Sequence, residues 1–177
     1  MKPAVILMII MILIAGCSIV KISGTADLIL DERDLQEIGM RSSEIDCYIE
    51  EYETSEHSPL MQYCFCNFTI DNLNDTEVAL EFKKFTNLKD LNRSYQYDSL
   101  HYFSVEGLIR ENDFGDQSRF RVNNENDYMG YLDVPGLYNY NLWICKDLYM
   151  IHITSKGTEE AEDYIAKIGR KILEKFR

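Results

Sequence analysis

Four cysteines in the body of this 177-residue chain, Cys47, Cys64, Cys66 and Cys145, are the side chains whose number and spacing bear most directly on chemistry. An even set in an oxidising compartment reads as two disulfides. Free or partly paired thiols are the first alternative; Cys64 and Cys66 also stand two apart and share one face if their segment is a strand, so a four-thiolate metal site or a thiol-redox pair is open to them as well. Zinc sites space their cysteines by two to four residues, which Cys-x-Cys does not match. The three histidines, His57, His101 and His152, are scattered, and none stands beside a serine or cysteine in a nucleophile setting. The chain has no Gly-x-Ser-x-Gly, His-Glu-x-x-His or glycine-rich phosphate loop. No catalytic residue and no metal ligand set is therefore assigned, although a triad can be assembled from residues distant in sequence.

A different cysteine addresses the chain. Lys2 is followed by an apolar run, Ala4 to Ala15, that ends in the small residues Ala15 and Gly16 before Cys17. That is the layout of an export signal. Ile14-Ala15-Gly16-Cys17 resembles the lipobox of prokaryotic lipoproteins. The resemblance implies that residues 1–16 are removed and that Cys17 carries a covalent diacylglyceryl lipid, with no other cofactor. An uncleaved anchor is the alternative, since the apolar stretch to Val20 approaches the roughly 17 residues needed to span a bilayer. Either way the positive end stays inside and the rest is exported, held on the outer face of a membrane.

Composition points to one folded domain with an acidic surface. Hydrophobic residues make up 46% and charged residues 27%, enough for a packed core and a wet exterior. Lysine and arginine total 18 against 30 acidic residues, and removing Lys2 with the leader leaves 17 against 30, a net charge of −13. Such a surface repels phosphates, which excludes nucleic acid as a partner and leaves membrane attachment to the lipid. The partners expected are the membrane and a protein or small-molecule ligand.

Residues 17–26 read as the lipidated cysteine and a short tether around Ser23, Gly24 and Thr25, with a single domain over 27–177. Asp31 to Gly39 carries a capping residue at one end and a terminating glycine at the other, a short helix. Segments 45–52 and 60–70 alternate aromatic or β-branched with polar residues across a Pro59-containing break, a β-hairpin. If it reverses near Glu56 and His57, Cys47 faces Cys66, and Cys64 is left to reach Cys145 on another strand. Asn74 and Glu77 have capping-box spacing, and Val78, Phe82, Phe85 and Leu88 follow at helical intervals, which predicts an amphipathic helix.

Segments 100–110 and 118–122 read as strands about the turn at Gly115-Asp116, and 123–127 as a solvated loop. That loop is rich in oxygen donors but lacks the glycine and distal glutamate of a calcium loop. Segments 142–145 and 148–154 flank Lys146-Asp147 as a central hairpin that buries Trp143. Thr158 is expected to cap a terminal helix, acidic at its start and basic at its end, with an apolar stripe of Ala161, Tyr164, Ile165, Ile168, Ile172 and Phe176. Asn67, Asn74 and Asn92 begin glycosylation sequons. Seven tyrosines between Tyr95 and Tyr140 are candidates to face a ligand or partner.

Hairpins with helices between and after them predict an α+β fold, an antiparallel sheet with one face covered by two amphipathic helices. Asp34, Leu35 and Gly39, the turn Gly115-Asp116-x-Ser118, the apolar hairpin and the terminal helix together resemble extracytoplasmic lipoproteins. Those are similar to sensor-like ectodomains of bacterial receptor kinases. The lipobox-like signal, the single compact domain and the missing catalytic motifs point to a non-enzymatic binding, sensor-like or accessory domain. A thiol-redox or metal-dependent enzyme using Cys64 and Cys66, and a structural envelope component, are the alternatives.

Overall fold

The computed structural model describes residues 22–55, 59–101, 103–123, 127 and 135–177. Cys17, the export signal, the first part of the tether and His57 lie outside them. Among the described residues, seven antiparallel strands form one sheet in the order β1-β2-β3-β7-β6-β5-β4. The fold is α+β. Two meanders, β1-β2-β3 and β4-β5-β6-β7, meet where β3 pairs β7 in the middle of the sheet. No helix among the described residues is long and apolar enough to cross a membrane.

The ordered body begins inside the segment expected to be tether. The Asp27 carboxylate accepts from Ser23 N at 2.7 Å and Gly24 N at 3.1 Å, and Thr25 N donates to Gln62 Oε1 at 3.0 Å. This winds Thr25–Leu28 into a 3₁₀ turn with Thr25 and Leu28 buried. The short helix α1 (Glu32–Glu37) follows, closed by reciprocal bonds between Asp31 and Asp34.

β1 (Asp46–Glu51) and β2 (Leu60–Ile70) form the expected hairpin, with Cys47 opposite Cys66. The next element departs from the sequence expectation. Residues 76–85 are not a helix but β3 (Thr76–Phe85). Val78, Leu80 and Phe82 alternate with Glu77, Ala79, Glu81 and Lys83, so the spacing of four from Val78 to Phe82 is two strand repeats. Asn74 and Asp75 adopt left-handed φ values of 48° and 52° as the turn of a hairpin, not as a helix cap.

The first long helix lies later, as α2 (Leu88–Leu100), capped by Asn87 Oδ1 accepting from Asp90 N at 3.0 Å. It ends where the sequence suggested a strand begins. Of segment 100–110 only the end is extended, in β4 (Leu108–Glu111), which pairs β5 (Gln117–Val122). The intervening turn holds Gly115 at φ 58°, where an added Cβ would strike the Cys145 carbonyl. Asp116 then reaches Lys146 Nζ at 2.8 Å and accepts from Asp147 N at 2.9 Å, clamping the next hairpin. Gly115→Ala is expected to cost about 2 kcal/mol, read as a lower urea midpoint with unchanged slope. A midpoint equal to wild type would show that the turn shifts without strain.

β6 (Tyr138–Lys146) and β7 (Tyr149–Gly157) reverse at Asp147 and bury Trp143, as expected. The terminal helix α3 (Ala161–Glu174) buries Ala161, Ile165, Ala166, Ile168, Gly169 and Ile172. Thr158 contributes its carbonyl, which accepts from Ala161 N at 3.2 Å, rather than a side-chain cap. Lys175 Nζ meets Asp34 at 2.9 Å, tying α3 to α1.

The helices divide between the two faces of the sheet. One face carries Cys64, Cys66, Leu80, Phe82, Leu142, Ile144, Ile151 and Ile153 in a continuous core with α1 and α3. The other carries a smaller cluster of Phe85, Trp143, Cys145 and Met150 beneath Leu91 and Tyr95 of α2. Because α2 spans only one end of that second face, the remainder is left open.

Candidate functional site

Strand register turns the open face into rows that run across the sheet. Alternation in β3 and β7 sends apolar residues to the main core and polar ones outward, so each row takes its members from strands distant in sequence. The first row is Phe65, Glu81, His152, Trp143 and Arg119. The second is Asn67, Ala79, Thr154, Asn141 and Arg121, and the third is Thr69, Glu77, Lys156 and Asn139. The second row short of Arg121 and the third row, with Ser43 and Asn123, line a shallow groove of about 540 Å³. That volume falls in the range of small-ligand sites.

The first row is a connected network at the margin of the α2 cluster. Glu81 accepts from the Tyr63 hydroxyl at 3.0 Å and lies 3.0 Å from Lys83 Nζ, which reaches on to Asp98 at 3.2 Å. His152 Nδ1 lies 3.6 Å from Glu81, and its Nε2 is 3.2 Å from Asn141 Oδ1. Asn141 Nδ2 donates to Asn123 Oδ1 at 3.1 Å. Partial burial pushes the Glu81 carboxyl up, but the His152 hydrogen bond and the Lys83 charge outweigh it and hold the group at about 2. Lys83 is held above its ordinary value because Glu81 and Asp98 together overcome its own desolvation. Burial and the neighbouring Glu81 charge push the Tyr63 phenol well up, so it stays a neutral donor.

Aromatic rings flank this network on both sides. The His152 ring stacks on Trp143 with centroids 4.5 Å apart and planes 8° apart, and Phe103 meets Trp143 edge-on at 5.0 Å. At the other margin Tyr48 packs against Tyr63 and Phe65 at 5.7 and 5.8 Å. Arg119 anchors α2 to the sheet through Ser99 Oγ at 2.7 Å and Gln96 Oε1 at 3.1 Å. Arg121 is buried with its guanidinium 5.2 Å from the Phe103 centroid. Its Nε and Nη2, like Trp143 Nε1, have no acceptor among the described residues. Burial pushes the Arg121 guanidinium down, with the Asp127 charge opposing.

The cysteines proposed from sequence do not assemble into a reactive centre. Cys47 and Cys66 form a disulfide with Cα atoms 4.1 Å apart. Cys64 and Cys145 are both free and buried, so the expected second bridge is absent. The reason is register: Cys64 aligns across the sheet with Phe82, Ile151 and Ile144, which puts Cys145, the next residue after Ile144, on the opposite face. The same geometry denies a four-thiolate metal site. Cys64 Sγ lies 3.8 Å from Cys66 Sγ, but burial pushes its thiol up to about 11. Burial also pushes Cys145 up to about 12. Neither is a thiolate at neutral pH.

Denatured, unreduced protein should therefore yield Cys64 and Cys145 as alkylatable thiols and leave Cys47 and Cys66 unmodified, as read by peptide mass mapping. Reduction should cost about 2 kcal/mol, the low end of the usual range because the bridge closes a local hairpin. Modification of Cys47 or Cys66 without reductant would contradict the bridge.

Other expectations resolve by position. His101 is exposed at the end of α2, stacked on Tyr97 at 4.5 Å. In the 123–127 run, Asp127 is buried and accepts from Ser104 N, so this residue is not solvated; 124–126 lie outside the described residues. Among the described tyrosines of the group between Tyr95 and Tyr140, Tyr138 and Tyr140 stack with centroids 6.0 Å apart and the others lie elsewhere. Tyr95 is in the core, Tyr97 is exposed, and the buried Tyr140 donates to Glu159 O at 3.0 Å. Tyr102, Tyr128 and Tyr131 lie outside the described residues. In sequence, Glu81, Asn139 and Asn141 carry no mark of a site, while His152 stands out only as a scattered histidine and Asn67 only as a sequon. Their shared signal is a polar residue at each outward position of a strand, which ordinary surface strands also show.

No protein-family model matches the chain, and no curated protein matches it. Among solved structures, the extracellular domain of PknH from Mycobacterium tuberculosis is similar, with 9% identity and a TM-score of 0.45 over 84% of this chain and 94% of that one.

Proposed function

We propose that the protein is an exported, membrane-tethered binding domain without catalytic activity, and that the open sheet face is where its ligand sits. The observation that carries this reading is the asymmetry of the sheet. One face is sealed by α1 and α3, while the other is covered by α2 at one end only and elsewhere presents a polar groove lined from four adjacent strands. The groove holds no nucleophile beside a base, and the free thiols are buried and protonated. With Cys66 bonded to Cys47, the dithiol needed by a Cys64/Cys66 redox enzyme is not available. A purely structural envelope role gives no reason for the open groove.

Lipid on Cys17 supplies the attachment, and a cross-strand disulfide suits an oxidising exterior. Cells fed an alkyne fatty acid should label the wild-type protein in the membrane fraction. Cys17→Ala should lose the label; an unlabelled wild-type protein in the cytosol would overturn the localisation. For the binding face, a ligand fraction from the cell envelope should raise the melting temperature of wild type and not of Ala79→Phe, which fills the groove floor. An equal rise in both would place the ligand elsewhere.

A further inference from the structure

We infer that the ligand of the open face is an uncharged oligosaccharide; the inference rests on that face being the binding site. Three features of the groove converge on this chemistry. The first is charge. Glu77 and Lys156 face one another across β3 and β7, so the formal charges among the groove-lining residues cancel, in a chain whose net charge is −12. Such a surface disfavours anions at long range and offers no surplus charge to attract a cation into the groove.

The second is the kind of polar group. Asn67 and Asn139 present carboxamides, and Thr69 and Thr154 hydroxyls, each offering both a donor and an acceptor, while Asn141 is held by Asn123 and His152. Sugar hydroxyls likewise donate and accept, so amides and hydroxyls can satisfy them in pairs. Asn67 and Asn141 lie in one row three strand spacings apart, about 14 Å, with Ala79 leaving a low floor between them. A short oligosaccharide laid across the strands fits that span.

The third is an aromatic platform continuous with the row. Tyr48 and Phe65 pair across β1 and β2, and Asn67 follows Phe65 on the same face of β2. Tyr48 is 48% exposed, and its ring forms a half-open surface with Tyr63 and Phe65. Flat rings that are apolar on the face and wet at the edge suit the C–H face of a pyranose. An extended peptide would instead seek unpaired strand-edge amides, whereas the backbone beneath the groove is already paired within the sheet.

The test uses the full-length protein in a detergent without a sugar headgroup, titrated with chitotriose, maltotriose, xylotriose and mannotriose by calorimetry and saturation-transfer NMR. Trigalacturonate and a tri-alanine peptide are added as probes of the other chemistries. At least one neutral trisaccharide should bind with a Kd of about 1 mM or tighter. Tyr48→Ala and Asn67→Ala, both at exposed positions, should each weaken that binding about tenfold, and Ala79→Phe should abolish it. No binding of any neutral trisaccharide at about 10 mM overturns the inference. If trigalacturonate or the peptide alone binds and Ala79→Phe abolishes it, the ligand class is wrong and the open-face reading stands. If a probe binds wild type and Ala79→Phe equally, both fall.

Discussion

Trp143→Ala is expected to lower stability by about 3–5 kcal/mol, the largest loss foreseen for a single substitution here. Trp143 is 1% exposed and sits between Phe103 and His152, in the cluster that α2 closes over the sheet. Truncation to alanine leaves a cavity that the β-sheet backbone on one side cannot collapse to fill. Trp143→Phe keeps the stacking partner and removes an indole N–H that has no acceptor among the described residues, so it should cost only about 1 kcal/mol. Since Trp143 is the sole tryptophan, urea unfolding is best followed by far-ultraviolet circular dichroism. Equal losses for the two variants would show that cavity volume is not the controlling quantity. A loss under about 1 kcal/mol for Trp143→Ala would show that α2 is only loosely packed on the sheet.

Acid should undo the network on the open face, with Glu81 as the main contributor. Its carboxyl is held at about 2 in the fold against an ordinary 4.5. A depressed carboxylate contributes stability that is fully present above pH 4.5 and is lost as pH falls through about 2. The shift corresponds to about 2–3 kcal/mol once partial solvent screening is allowed for. Glu81→Gln should therefore lose about that amount at pH 7 and show a flatter stability profile than wild type between about pH 5 and 2. Urea midpoints across that window measure both. Parallel profiles for wild type and Glu81→Gln would assign the acid sensitivity to other carboxylates, such as Asp34 and Asp116, which their lysine partners also hold low.

Much of the secondary structure was legible because its signals are local. The β6/β7 hairpin and α3 declare themselves through apolar runs, a tight reversal and charges that match the helix dipole. Segment 76–85 was misread because spacings of four satisfy both a helix and a strand, and the deciding feature, pairing with β2 and β7, is not local. α2 was missed because few of its residues are apolar; Leu91 and Tyr95 reach the core and the rest are mostly solvated. The candidate site was almost wholly illegible. Glu81 and His152 are far apart in sequence and meet only because β3 and β7 are neighbours.

The sequence alone carries the acidic balance, the α+β class, the β1/β2 hairpin at one edge of the sheet, the β6/β7 hairpin within it and the terminal helix, together with the Cys17 signal on which the proposed address depends. These rest on composition and on periodicity within short windows, whose energies come from neighbours along the chain. The tertiary structure alone decided the strand order, which of the two sheet faces stays open, and that Cys64 and Cys145 lie on opposite sides. Each of those follows from register, where a one-residue step moves a side chain through the sheet, and register is set by burial summed over strands that the chain order does not place together.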